Sequence, residues 1–190
     1  MTRKPTAKSK LIALAFIAAV LVTGQLLLGT VPTILFAIGY LGGMALWLAR
    51  PTHASFADIR APYFLTLALF ICHKLEEKYQ GFFPALAELT GVAIPTDRTP
   101  LALLLYVLAS AWLLIPFLMK RGHALGHFLA CTFFVSMGVT ELAHFLFPFF
   151  TGKPYAYFPG MWSVVPLAPA AWWGIQRLAM RETMVLASWD

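Results

Sequence analysis

The stretch Ile71-Cys-His-Lys-Leu-Glu-Glu-Lys-Tyr79 puts His73, Glu76 and Glu77 at the end of a long apolar run. Further on, Glu141 and His144 stand inside VSMGVTELAHFLFPFF, with no basic neighbour. Residues three and four apart share a helix face, so Glu76 and Glu77 flank His73 within an arc of about 100°. Glu141 and His144 are likewise three apart. Two helices that each offer a carboxylate and an imidazole are the way di-iron and di-manganese bundles build their sites. Here the first pair reads His-x-x-Glu and not Glu-x-x-His, so the match is to the geometry. Carboxylate and imidazole suit iron, manganese or zinc, and the lack of thiolates argues against a soft metal. The expected ligands are His73, Glu76, Glu77, Glu141 and His144. They suffice for two bridged divalent ions, or for one ion with a free glutamate, Glu76 or Glu77, as acid or base.

Such residues need elements to hold them, and composition says which. The chain has 190 residues, is 60% hydrophobic and 12% charged, and has a mean hydropathy of +0.76. A soluble domain would be about 25% charged, so the chain reads as one integral membrane domain over residues 1–190. Six apolar segments approach the roughly 20 residues that cross a bilayer: 11–28, 33–48, 63–79, 101–119, 123–146 and 161–180. In lipid each must be a helix, because only a helix satisfies its own backbone groups. The expected fold is an all-α polytopic bundle. Between the third and fourth spans, Gly81, Pro84, Gly91, Pro95 and Pro100 break the chain, and Phe82 to Leu89 has room for a short interfacial helix. The first segment also resembles a secretory signal, but its apolar core is long and no small-residue cleavage site precedes Gln25. It is read as a retained helix.

Basic residues set the expected orientation. With a cytoplasmic N-terminus, Arg3, Lys4, Lys8, Lys10, Arg50, Arg60, Lys120, Arg121, Arg177 and Arg181 lie inside, and Lys74, Lys78, Arg98 and Lys153 lie outside. That asymmetry follows the positive-inside rule and puts both termini in the cytoplasm, in the inner membrane for a bacterial chain. The net charge of +6 thus reads as orientation; no nucleic-acid motif is present. Depth then sorts the histidines. His127 and Glu141 are about 21 Å apart along a helix axis, so His123 and His127 belong to the inner end, facing solvent or headgroups, and are excluded from the site.

Blander readings stand beside these. Lys74, three residues before Glu77, can pair with it, and the end of the third span can simply emerge into water as a charged collar. That account does not cover Glu141 and His144, whose burial in a membrane costs at least about 2.5 kcal/mol per charge. Cys72 and Cys131 lie on different spans at different depths and read as packing residues. Trp172 and Trp173 read as core or interfacial anchors. Phe82, Phe83, Phe147, Phe149 and Phe150 crowd the outer end, lining an apolar pocket or facing lipid.

From the third span onward the chain resembles the HXXEE family of multi-span membrane proteins. The motif stands here as HKLEE, followed in order by ELAHF and KPYAYFPGMW. The resemblance marks His73, Glu76, Glu77, His144, Pro159 and Gly160; it implies no stated reaction and leaves the first two helices outside. The leading expectation is a membrane metalloenzyme acting on a lipid-like or small apolar molecule, by metal-assisted hydrolysis or iron-dependent oxidation. A second is a metal-free acid–base isomerase using His73 and Glu77 with a buried, protonated acid. A third is a non-enzymatic subunit or an ion or proton pathway.

Overall fold

The computed structural model describes residues 5–49, 54–93 and 100–179, and these are all-helical. His53 and the basic residues Arg3, Lys4, Arg50, Arg98 and Arg181 lie outside the described residues. The first long helix, α1 (Ala7–Leu28), starts at Thr6, whose hydroxyl accepts from Ser9 N at 3.1 Å, and ends at Gly29. Next comes α2 (Thr30–Ala49), with Pro32 in its first turn, where a missing N–H costs nothing. In α3 (Phe56–Tyr79), Asp58 accepts from the Ser55 backbone N–H at 2.7 Å and so caps the first turn. The broken connection does hold a short helix, α4 (Phe82–Thr90).

The fourth span is interrupted. It comprises α5 (Pro100–Ser110), a 3₁₀ turn (Ala111–Leu114) and α6 (Ile115–Lys120). Pro116 has no N–H for the Trp112 carbonyl four residues back; that carbonyl accepts from the Ile115 N–H and from the Tyr63 hydroxyl, the latter at 3.2 Å. The fifth span also changes character. It begins as α7 (Ala124–Val139) and continues as a 3₁₀ helix (Thr140–Phe145), followed by a second 3₁₀ turn (Phe147–Phe150) at Pro148. An unbroken helix over 123–146 was expected. The change frees the Gly138 carbonyl, which accepts from the Trp172 indole N–H at 2.6 Å. Trp172 therefore ties the last helix, α8 (Met161–Ala179), to the end of α7.

Five helical segments are long and apolar enough to cross a membrane among the described residues: α1, α2, α3, Pro100–Lys120 and Ala124–Phe145. The sixth expected span does form a helix, α8. However, Pro166, Pro169, Gln176, Arg177 and three tryptophans make it less apolar than the other five. Helix α7 is the centre of the bundle, with most of its residues buried. Close packing is one means by which apolar helices associate. The seam between α2 and α7 shows this: a Cβ on Gly43 would lie 2.4 Å from the Thr132 Cα, so only glycine allows the approach. Beside α7, Trp112 stacks on Tyr40 at 5.7 Å and is tilted against Phe133 of α7 at 5.4 Å. Each such aromatic pair adds about 0.5–1.5 kcal/mol beyond its buried area.

The bundle has two distinct ends. At one, the start of α3 meets the end of α6 and the start of α7: Lys120 Nζ lies 5.6 Å from the Phe56 ring centroid, and His127 reaches Ala54 O. At the other, the end of α3, the Thr140–Phe145 turn and the start of α8 converge.

Candidate metal centre

At that second end four ligand atoms face one another. His73 Nε2 lies 3.2 Å from Glu77 Oε1 and 3.2 Å from Glu141 Oε2. His144 Nε2 lies 3.4 Å from each of the same two oxygens. All four atoms fall within 4.8 Å of one another. The local folds explain the convergence. His73 and Glu77 are one α-helical turn apart on α3. Glu141 and His144 sit on the 3₁₀ stretch, where three residues make a turn and side chains at i and i+3 eclipse. The change of helix type thus aligns the second pair better than an α-helix would.

The outer nitrogens of both rings are spoken for. His144 Nδ1 lies 2.6 Å from the Pro159 carbonyl, which can only accept, so Nδ1 carries a proton. His73 Nδ1 lies 2.8 Å from Ser163 Oγ. That hydroxyl donates to Gly160 O at 3.2 Å, so it accepts from His73. In the neutral rings, therefore, both Nε2 atoms turn a lone pair toward the carboxylates. Fixing Nδ1–H on a carbonyl or hydroxyl is how proteins orient metal-binding histidines. Moreover, His73 Nε2 is buried and has no aligned hydrogen-bond partner. Charge-assisted N–H···O bonds run about 2.7–2.9 Å, shorter than the separations here. The four N···O separations of 3.2–3.4 Å form a ring of alternating nitrogens and oxygens, close enough together to share one ion.

Glu76 is placed elsewhere. Expected as a ligand and as acid or base, it turns away from Glu77 and takes hydrogen bonds at the start of α8. It accepts from Trp162 N at 3.2 Å, Ser163 N at 2.8 Å and the Tyr157 hydroxyl at 2.6 Å. The first N–H groups of a helix have no partner inside it, and a carboxylate there also meets the positive end of the helix dipole. Glu76 is thus a cap supplied by α3 to α8. Burial and the adjacent Glu76 carboxylate push the Tyr157 phenol up to about 12, so it remains a donor at neutral pH. Glu77, also expected as an acid or base, has its second oxygen held by Lys74 Nζ at 2.7 Å, the local pair foreseen from their spacing.

The segment before α8 forms the wall behind both rings. Gly160 adopts φ +99°, and a Cβ there would lie 2.5 Å from two ring atoms of His144 and 2.9 Å from His73 Cε1. Only glycine fits between the two imidazoles. Phe82, Phe147 and Phe158 pack around His144, with ring centroids 5.2, 5.6 and 6.3 Å away. Of the crowded phenylalanines, Phe147 is buried at this wall, whereas Phe149 and Phe150 are exposed. Ser163 and Tyr157 had no part in the sequence reading. A legible signal existed: α8 begins after Pro-Gly with no Ser, Thr, Asp or Asn cap, so its first N–H groups had to find an acceptor on another element.

His123 and His127 are apart from this group. His123 caps α7 through Nδ1, which accepts from Leu125 N at 3.3 Å. His127, expected to face solvent or headgroups, is buried, with Nε2 2.8 Å from Ala54 O. The two cysteines are free, Cys131 buried and Cys72 exposed. No family model, curated protein or solved structure matches the chain.

Proposed function

We propose that the protein is a six-span membrane metalloenzyme that holds one divalent ion of the zinc, manganese or iron class at His73, Glu77, Glu141 and His144. It would act on a lipid-like or small apolar substrate. The observation that carries this reading is the ring of four N···O separations at 3.2–3.4 Å with both Nδ1 atoms already committed. Two carboxylates and a dication are neutral together, which suits a buried, apolar setting. A bound ion would supply Lewis acidity or an activated water. The chain's own part is positional: Ser163 and the Pro159 carbonyl hold the imidazoles, and Lys74 restrains Glu77. Glu141 is the most accessible of the four, its side chain 16% exposed against 0–8% for the others, so it is the group that can change partner during a reaction. The likeness to HXXEE proteins belongs to the same proposal, as does an orientation with both termini in the cytoplasm.

Elemental analysis of protein purified without chelators, with iron, manganese and zinc supplied, is the direct test. Near-stoichiometric metal in the wild type and its loss in Glu141→Gln are expected. The Lys74–Glu77 ion pair favours one rival, a metal-free acid–base enzyme in which protonated histidines and Lys74 balance the two carboxylates. In that case the wild type carries no metal and Glu141→Gln keeps its melting temperature. Reporter fusions at Arg50 and Asp97 check the orientation; a cytoplasmic signal at Asp97 would overturn it.

A further inference from the structure

We propose that the exposed face of α3 beside the centre binds the head of an anionic, phosphate-bearing lipid, and that this is the substrate class. The step from bound lipid to substrate rests on the metal-centre reading above; the lipid site itself does not.

Ile71, Lys74, Leu75 and Lys78 follow the spacing i, i+3, i+4, i+7 and form one stripe on α3. All four are exposed: Ile71 55%, Leu75 47%, and the Lys74 side chain 45%. The stripe is therefore apolar toward the middle of the helix and doubly basic toward its end, the profile of an amphiphile in reverse charge. Lys78 has no hydrogen bond or ion pair among the described residues. Among the described residues Lys74 has one hydrogen bond, to Glu77, and its Nζ lies 5.2 Å from the Phe70 ring centroid, so N–H donors are left for another acceptor. Like charges at i, i+4 repel, and an anion between them removes that repulsion. A phosphate, with several oxygens, can reach both ammonium groups at once.

The neighbouring helix leaves room. Helix α5 packs on α1, with Ala102 buried, and leaves Leu103, Tyr106 and Val107 exposed, at 57, 55 and 65%. Tyr106 is within electrostatic range of Lys74. A head group on Lys74 would also sit next to the centre, because Lys74 Nζ is 2.7 Å from Glu77 Oε2 while Glu77 Oε1 belongs to the four-atom ring. With a dication bound, the two carboxylates are neutralised and the charges of Lys74 and Lys78 stand in excess. An anionic head restores the balance, and its acyl chain runs along Ile71 and the apolar face of α5.

The test is lipid binding in neutral detergent, read by native mass spectrometry or tryptophan fluorescence. The probes share one chain length: dioctanoyl phosphatidylglycerol, dioctanoyl phosphatidylcholine, dioctanoylglycerol and octanoate. A surface lysine contributes about fivefold in affinity toward an anionic lipid, and two about 25-fold. Phosphatidylglycerol should bind more tightly than phosphatidylcholine by about that factor. Lys78→Gln should lower the preference about fivefold, Lys78→Arg should keep it, and Lys74→Gln with Lys78→Gln should abolish it. Equal binding of the two phospholipids, octanoate binding as tightly as phosphatidylglycerol, or an unchanged preference in Lys78→Gln overturns the site. Among the described residues Lys78 has no hydrogen bond or ion pair to lose, so that last variant keeps the fold and reads out. Metal content measured on the same samples separates the two proposals: lipid preference without metal keeps the lipid site and removes the metal centre.

Discussion

One helical segment carries histidines at both ends, and the two ends use them differently. At the start of α7, His123 and His127 each satisfy a backbone group: His123 Nδ1 accepts from Leu125 N, and His127 Nε2 meets the Ala54 carbonyl. At the other end, His144 and its partner His73 spend only Nδ1 on a backbone carbonyl or a hydroxyl, and present Nε2 to two carboxylates. His127, like His73 and His144, is buried in a bundle of apolar helices. What sets His73 and His144 apart is the pair of carboxylates that their Nε2 atoms face. Burial alone does not distinguish His127, 5% exposed, from His144, 3% exposed.

That contrast can be broken most sharply at Gly160. Gly160→Ala forces a methyl group into both rings, and the positive φ adds strain. Metal binding should be abolished and the melting temperature should fall; retention of full metal content would mean that the rings do not need this wall. The next largest effect concerns the supports. Ser163→Ala removes the acceptor of His73 Nδ1, and Glu76→Gln weakens the cap that places Ser163. Each should lower metal affinity about 10–100-fold, measured by competition with a chromogenic chelator. In cobalt-loaded protein the visible spectrum should shift with Ser163→Ala, a change that general destabilisation does not produce.

His127→Ala probes the other end. It leaves the Ala54 carbonyl without its partner at a cost of about 1–3 kcal/mol, seen as a lower melting temperature. Metal content should be unchanged, and a loss of metal would erase the distinction between the two ends. The smallest effect is expected from Tyr157→Phe. Tyr157 is 42% exposed, so its hydrogen bond to Glu76 is partly screened by solvent, and melting should change by no more than a few degrees. The sign of its pH dependence is fixed. Its pKa is raised from 10.0 to about 12 in the folded chain, so its contribution is fully present below pH 10 and is lost as pH rises through 12. Wild type and Tyr157→Phe should therefore converge in stability at high pH and differ constantly from pH 6 to 9.

Whereas α1 and α3 begin earlier, at Ala7 and Phe56, than the apolar runs from 11 and 63, composition and periodicity were enough for the helical class and for the short helix after α3. These depend on local properties, apolar runs and Pro–Gly breaks, that act within a few residues. The pairing of His73 and Glu77 with Glu141 and His144 was legible too, because helix rise sets depth and depth excludes His123 and His127. Glu76 was not legible. Adjacent residues on a helix point about 100° apart, and only the neighbour met by each direction assigns its role: Glu77 faces the 3₁₀ turn, Glu76 the start of α8. The change from α to 3₁₀ after Val139 was equally out of reach, since it is supported by the Trp172 indole, 34 positions away in the chain. Residue types and their spacing decided which groups could meet at one depth. Which nitrogen carries a proton, which carboxylate caps a helix and which one faces the histidines came from the docking of α8, an arrangement set by contacts between residues far apart in sequence.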